Sequence, residues 1–122
     1  MAEAEALAGG SFVRIEPGEA AALLSRGEAV MLDVRGLDEF AVERIPGALL
    51  APMTELRAEG LPAEGPKRVI LQCRSGARTY RLAEALIGAG IYGEVAHLEG
   101  GILAWKAAGL PTIRPDPSRE VT

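Results

Sequence analysis

The stretch Val69-Ile70-Leu71-Gln72-Cys73-Arg74-Ser75-Gly76-Ala77-Arg78-Thr79 decides the fold. Its apolar start reads as a buried strand over Arg68 to Gln72. A helical pattern follows from Thr79 to Ala89, with Leu82, Ala83, Leu86 and Ile87 on one face. The loop between them carries the single cysteine of the chain. A thiol placed there lies among N–H groups that lack intrahelical partners and at the positive end of a helix dipole. Both favour an anion, and so favour thiolate over thiol. Arg74 and Arg78 add positive charge, and Gly76 lets the backbone turn tightly. A lone cysteine is commonly a buried structural residue. A cationic, glycine-containing loop favours a nucleophile in an anion cradle instead.

On either side of this stretch the pattern alternates. Phe12-Val13-Arg14-Ile15 has the two-residue period of a short strand, and Pro17 suits the first position of a helix over Gly18 to Leu24. Ala29 to Leu32 is a continuous apolar run that stops at Asp33, as in a strand buried on both faces. Asp38 is placed to cap a short helix through Phe40 and Val42. Ala48 to Ala51 is a further apolar run, and Thr54 to Ala58 reads as another short helix. Val95 to Leu98 is the last strand, and Gly101 to Ala108 the last helix. Strands alternating with helices predict an α/β fold, a parallel sheet with helices on both faces. Ligands of such sheets bind beyond the carboxyl ends of the strands, where Asp33 and Cys73 both fall. Residues 1–10 read as a loose lead-in, residues 11–111 as the domain, and residues 112–122, with Pro115 and Pro117, as an extended or fraying tail.

The composition is that of an ordinary globular protein of 122 residues, with 48% hydrophobic and 25% charged residues. The net charge of −4 argues against a nucleic-acid partner. No apolar run approaches the roughly 20 residues of a membrane span, and the acidic start lacks the basic region of a signal peptide. A cytoplasmic location with no membrane association is the expectation. One cysteine allows neither an internal disulfide nor a cysteine-based zinc site, and no cofactor or metal is expected.

Three separated segments resemble the rhodanese family of sulfurtransferases. Met31-Leu32-Asp33-Val34-Arg35, Glu39-Phe40 and Ile45-Pro46-Gly47-Ala48 are similar to its N-terminal signature. Cys73-Arg74-Ser75-Gly76-Ala77-Arg78 is similar to its six-residue active-site loop. Leu98-Glu99-Gly100-Gly101-Ile102, with Trp105, Gly109, Leu110 and Pro111, is similar to its C-terminal signature. The resemblance implies a single rhodanese-like domain with a five-stranded parallel sheet flanked by helices. It implies that Cys73 carries a persulfide, and that Arg74, Ser75, Gly76, Ala77 and Arg78 form the loop facing the bound sulfur. Asp33 and Arg35 match the family's Asp-x-Arg, with a structural role beneath the site. The implied partners are a small sulfur donor such as thiosulfate and a thiol or cyanide acceptor, with a protein donor or acceptor also compatible.

One segment departs from the family pattern. Glu43-Arg44 stands where relatives usually have Gly-His. Loss of that glycine predicts a different turn, or left-handed strain of about 1 kcal/mol. The sole histidine, His97, reads as core at the end of the last strand, remote from the loop in sequence, and Trp105 also reads as core. Two other classes compete. A cysteine-dependent phosphatase resembles Cys-x5-Arg, whereas Cys73 to Arg78 is Cys-x4-Arg, a shorter loop suited to one sulfur atom. A non-catalytic interaction module on the same fold is the other, since fold does not fix function.

Overall fold

The computed structural model describes residues 3–62 and 65–115. Its sheet contains β1 (Glu3–Leu7), β2 (Gly10–Ile15), β3 (Ala29–Asp33), β4 (Leu49–Leu50), β5 (Arg68–Gln72) and β6 (Glu94–Leu98). The helices are α1 (Pro17–Ser25), α2 (Leu37–Val42), α3 (Ala77–Gly88) and α4 (Gly101–Ala107). The strand order is β1-β2-β6-β5-β3-β4. All neighbours pair in parallel except β1 with β2, which form an antiparallel hairpin.

The two faces of the central strands account for their continuous apolar runs. Leu32 and Leu71 point to one face, where Phe12 and the Leu82, Ala83, Leu86 and Ile87 stripe of α3 cover them. Met31 and Ile70 point to the other, against Ala20 of α1 and Ile102 and Trp105 of α4. Ile70 and Leu71 are 0% and 1% exposed. Each contributes about 1.5–3 kcal/mol by leaving water. Trp105 is core, with its indole N–H donating to the Pro111 carbonyl at 2.8 Å.

The sheet corrects the sequence reading in three places. Six strands replace five, and one of them is antiparallel. Residues 3–7 are not a loose lead-in, because Glu5 is tied on the neighbouring strand to Arg14 at 2.7 Å and on α3 to the Tyr80 hydroxyl at 3.0 Å. The expected helix over Thr54 to Ala58 is replaced by a turn and a short 3₁₀ segment, Ala58–Gly60. This stretch lies between Pro52 and Pro62, and its apolar residues Met53, Leu56 and Leu61 pack against the core without forming an α-helix. The tail divides: Ile113 bridges Arg44 through two backbone hydrogen bonds of 2.7 and 2.9 Å, and residues 116–122 lie outside the described residues.

Candidate active site

The end of β5 delivers Cys73 to the start of α3, which begins at Ala77, two residues earlier than its periodicity suggests. The amides of Arg78 and Thr79 therefore belong to the first helical turn, where no intrahelical acceptor exists for them. Gly76 makes this geometry possible with φ at 102°, a conformation costly for any side-chain-bearing residue. Its N–H donates to Cys73 Sγ at 3.1 Å. The Thr79 hydroxyl lies 3.7 Å from the same sulfur. Burial pushes the Cys73 thiol up. The N–H and hydroxyl of Thr79, with the N–H groups of Gly76 and Arg78, outweigh it, so the net shift is downward. The cysteine is only 1% exposed.

The loop is fastened from outside. Ile102 and Leu103 at the head of α4 donate N–H groups to the carbonyls of Cys73 and Arg74, at 3.0 and 3.2 Å. Gly101 lies against those same carbonyls, and a side chain there would collide with both. The Gln72 amide adds a third tie, donating to the Cys73 carbonyl at 2.8 Å. Carbonyls directed away from the sulfur leave the N–H edges of the loop directed towards it.

The four charged residues singled out in the sequence separate into distinct situations. Asp33 and Arg35 form a buried ion pair, with Arg35 Nε at 2.9 Å and Nη2 at 2.7 Å from the two carboxylate oxygens. Arg35 Nη2 also donates to the Glu43 carbonyl at 2.7 Å, tying the end of β3 to the segment after α2. Arg78 is held by Glu39 of α2 through contacts of 2.8 and 2.9 Å. The Arg78 hydrogen bonds hold the Glu39 carboxyl down at about 2, against an ordinary 4.5. Arg74 is exposed and makes no side-chain hydrogen bond or ion pair among the described residues. It borders a shallow concavity shared with Asp38, Val42, Leu103 and Lys106. A second hollow, lined by Pro66, Val69, Tyr92 and Glu94, opens at the far ends of β5 and β6, away from the sulfur.

Behind the loop lies His97 of β6, 3% exposed. Its Nδ1 is 2.6 Å from Thr79 Oγ1, and its Nε2 is 2.8 Å from Glu99 Oε1. Burial pushes the imidazole below its ordinary 6.5, with Glu99 partly opposing.

A strand-end cysteine ringed by backbone amides, over a buried Asp-x-Arg pair, is one of the arrangements that define a family. The rhodanese-like domain model matches residues 16–108. The chain belongs to the rhodanese-like family. A sulfurtransferase of Allochromatium vinosum is 38% identical over 91 residues, which cover 73% of this chain and 82% of that protein. An uncharacterized Synechocystis protein is 38% identical over 102 residues, covering 84% of this chain and 56% of the relative. Thus the chain spans about half the length of that relative. Among solved structures, a thiosulfate sulfurtransferase from Pseudomonas aeruginosa superposes with a TM-score of 0.73 at 35% identity. That match covers 84% of this chain and 20% of the other.

Within this rhodanese-like frame, the structure brings Cys73, Gly76, Arg78 and Thr79 around one sulfur atom and leaves the Ser75 and Arg74 side chains exposed. Glu43 and Arg44 bring no strain. Glu43 is extended, with φ −161° and ψ 138°, and no residue other than glycine has positive φ among the described residues. The Glu43 carboxylate accepts from Thr112 at 2.6 Å and Lys106 at 2.9 Å. The departure from the family pattern thus fastens the start of the tail. The sequence reading gives Thr79 only as the start of the helix, and the link from Thr79 to His97 is absent from it. Burial of His97 agrees with that reading, but its contact with a cysteine neighbour does not follow from it. A histidine spaced along a strand so as to point to the α3 face, as Phe12 and Val95 do on theirs, was the available signal.

Proposed function

We propose that this protein is a sulfurtransferase that carries sulfane sulfur as a persulfide on Cys73. The observation that carries the reading is the convergence of the Gly76, Arg78 and Thr79 amides on Sγ, which lowers the thiol pKa despite burial. The thiolate attacks the outer sulfur of a donor such as thiosulfate. A sulfur–sulfur bond forms on Cys73, the donor's own sulfur–sulfur bond breaks, and sulfite leaves with the electron pair. The loop amides then face an anionic persulfide, a charge they stabilise without rearranging. Cyanide or an acceptor thiolate takes the outer sulfur and regenerates the Cys73 thiolate. Two displacements through one covalent intermediate give ping-pong kinetics.

Arg74, which has no side-chain partner among the described residues, is the group that draws an anionic donor to the mouth of the site. Ser75, Gly76 and Ala77 shape the loop, and Arg78 braces it through Glu39. Asp33 and Arg35 hold the floor. In a phosphatase the arginine that closes the loop grips the phosphate, and here that arginine, Arg78, is already engaged by Glu39. Thiosulfate treatment followed by intact mass measurement should show one added sulfur atom per chain, removed by cyanide. Cys73→Ser should abolish both adduct and turnover. Transfer by the serine variant would refute the assignment, and cysteine-dependent hydrolysis of an aryl phosphate would favour the phosphatase.

A further inference from the structure

Amides around Sγ stabilise a thiolate but take no proton from it. With Cys73 1% exposed, the thiol proton meets little bulk water. A line of polar atoms leads away from the sulfur. Thr79 Oγ1 is 3.7 Å from Sγ and 2.6 Å from His97 Nδ1, and His97 Nε2 is 2.8 Å from Glu99 Oε1. Thr79 and His97 are 0% and 3% exposed, whereas the Glu99 side chain is 41% exposed. The line therefore starts in the core and ends in solvent.

Its hydrogen-bond directions follow from its outer end. A carboxylate only accepts, so Nε2 carries the imidazole proton and, in neutral histidine, Nδ1 is bare. The Thr79 hydroxyl must then donate to Nδ1, which leaves an Oγ1 lone pair for the Cys73 S–H. We propose that Thr79, His97 and Glu99 form a proton relay for Cys73, with His97 as a positioning residue that receives the thiol proton through Thr79. This rests on the reading of Cys73 as a nucleophile. In the transfer the S–H bond breaks and that proton binds Thr79 Oγ1. The proton already on the hydroxyl passes to His97 Nδ1. Thiolate and imidazolium result, with no atom gained or lost. Thr79 now turns its new O–H towards the sulfur anion, while the imidazolium donates to Oγ1 and to the Glu99 carboxylate.

The surroundings suit a histidine that is unprotonated at rest. From β2, the Phe12 ring packs 4.5 Å from the imidazole and Arg14 approaches Glu99 at 3.8 Å. From β1, Glu5 holds Arg14, and α3 supplies Thr79. Burial is the main cause keeping His97 below its ordinary 6.5, with Arg14 adding to it and Glu99 opposing. The competing acceptor for the Thr79 hydroxyl, the Gly76 carbonyl, is more distant at 3.0 Å. A side chain at position 76 would approach the imidazole Cε1 to 3.2 Å, so glycine leaves the ring its room.

The test uses the whole chain with ¹⁵N-labelled histidine. While Cys73 is protonated, the imidazole spectrum should show the Nε2–H tautomer. Alkylating Cys73 should lower the pH at which His97 loses its proton, because the thiolate that retains it is gone. In parallel, Thr79→Val and His97→Gln should slow alkylation of Cys73 by iodoacetamide at pH 7 by about tenfold, the equivalent of roughly 1.4 kcal/mol, while Thr79→Ser keeps the wild-type rate. An Nδ1–H tautomer, or a His97 titration unmoved by alkylation, would overturn the relay whether or not the variants fold. These readouts need no sulfur donor. Normal persulfide formation without His97 coupling removes the relay alone, and coupling without persulfide removes the sulfur-transfer reading alone.

Discussion

Strands β3 and β5 are hydrogen-bonded neighbours, in register at Asp33 and Gln72, and they end side by side. At the end of β3 a buried carboxylate is met by a full countercharge, the Arg35 guanidinium, together with the Arg35 N–H at 3.1 Å. At the end of β5 a buried sulfur is hydrogen-bonded by dipoles, backbone amides and one hydroxyl, and the Arg78 charge reaches it only through space. The nearby cation, Arg78, is bound to Glu39 instead. Asp33 is thereby fixed as part of the frame. Cys73 is stabilised as an anion with no guanidinium bonded to it, the condition a nucleophile needs.

The comparison breaks first on stability. Arg35→Ala leaves Asp33 buried without its partner and should destabilise the fold by about 3–5 kcal/mol, read by urea unfolding. Cys73→Ser should cost roughly 1 kcal/mol or less while losing all transfer. If the two variants are equally stable, the β3 end is not a clamp. The two arginines of the loop sharpen the contrast next. Arg74→Ala should lower kcat/KM for thiosulfate by about ten- to a hundredfold, the loss of one charge-assisted contact of about 1.5–3 kcal/mol. Arg78→Ala should leave that ratio within about threefold and act on stability by roughly 0.5–1 kcal/mol, because its partly exposed pair with Glu39 is screened. Equal kinetic losses would mean that Arg78 leaves Glu39 to bind the donor.

The smallest expected effect is in acid. Glu39 is held at about 2, chiefly by the Arg78 hydrogen bonds, against 4.5 when free. The folded state therefore binds this proton less tightly than the unfolded state. The stabilisation is complete above pH 4.5 and is lost as pH falls towards 2. His97, held below 6.5 by burial, adds a destabilisation that begins as pH drops below 6.5, where the unfolded chain takes up its proton first. Thermal unfolding of Glu39→Gln between pH 5 and pH 2, a window set by those two carboxyl values, should lose the Glu39 part of the slope and keep the rest.

The sequence makes some of this legible and hides the remainder for physical reasons. The strand, loop and helix around Cys73 are contiguous, so local periodicity exposes them together. The apolar runs at Met31-Leu32 and Ile70-Leu71 show burial on both faces, as found. β1 is hidden because Glu3-Ala4-Glu5-Ala6 offers almost no apolar face. Its place depends on Arg14 and Tyr80, distant in sequence. The charges on Arg74 and Arg78 look alike in the sequence. Only the fold brings Glu39 to one and not the other. The contact from Thr79 to His97 spans two elements and needs the parallel register of β5 and β6 to form.

The central claim is that dipoles at the end of β5 hold Cys73 as a thiolate. It is tested most directly by the rate of Cys73 alkylation by iodoacetamide, followed against pH for the native protein and for the same protein unfolded in urea. The unfolded chain should show the midpoint of a free thiol, about 8.5, and the native protein a clearly lower one. A native midpoint at or above that of the unfolded chain would show that burial outweighs the amides, contradicting the account.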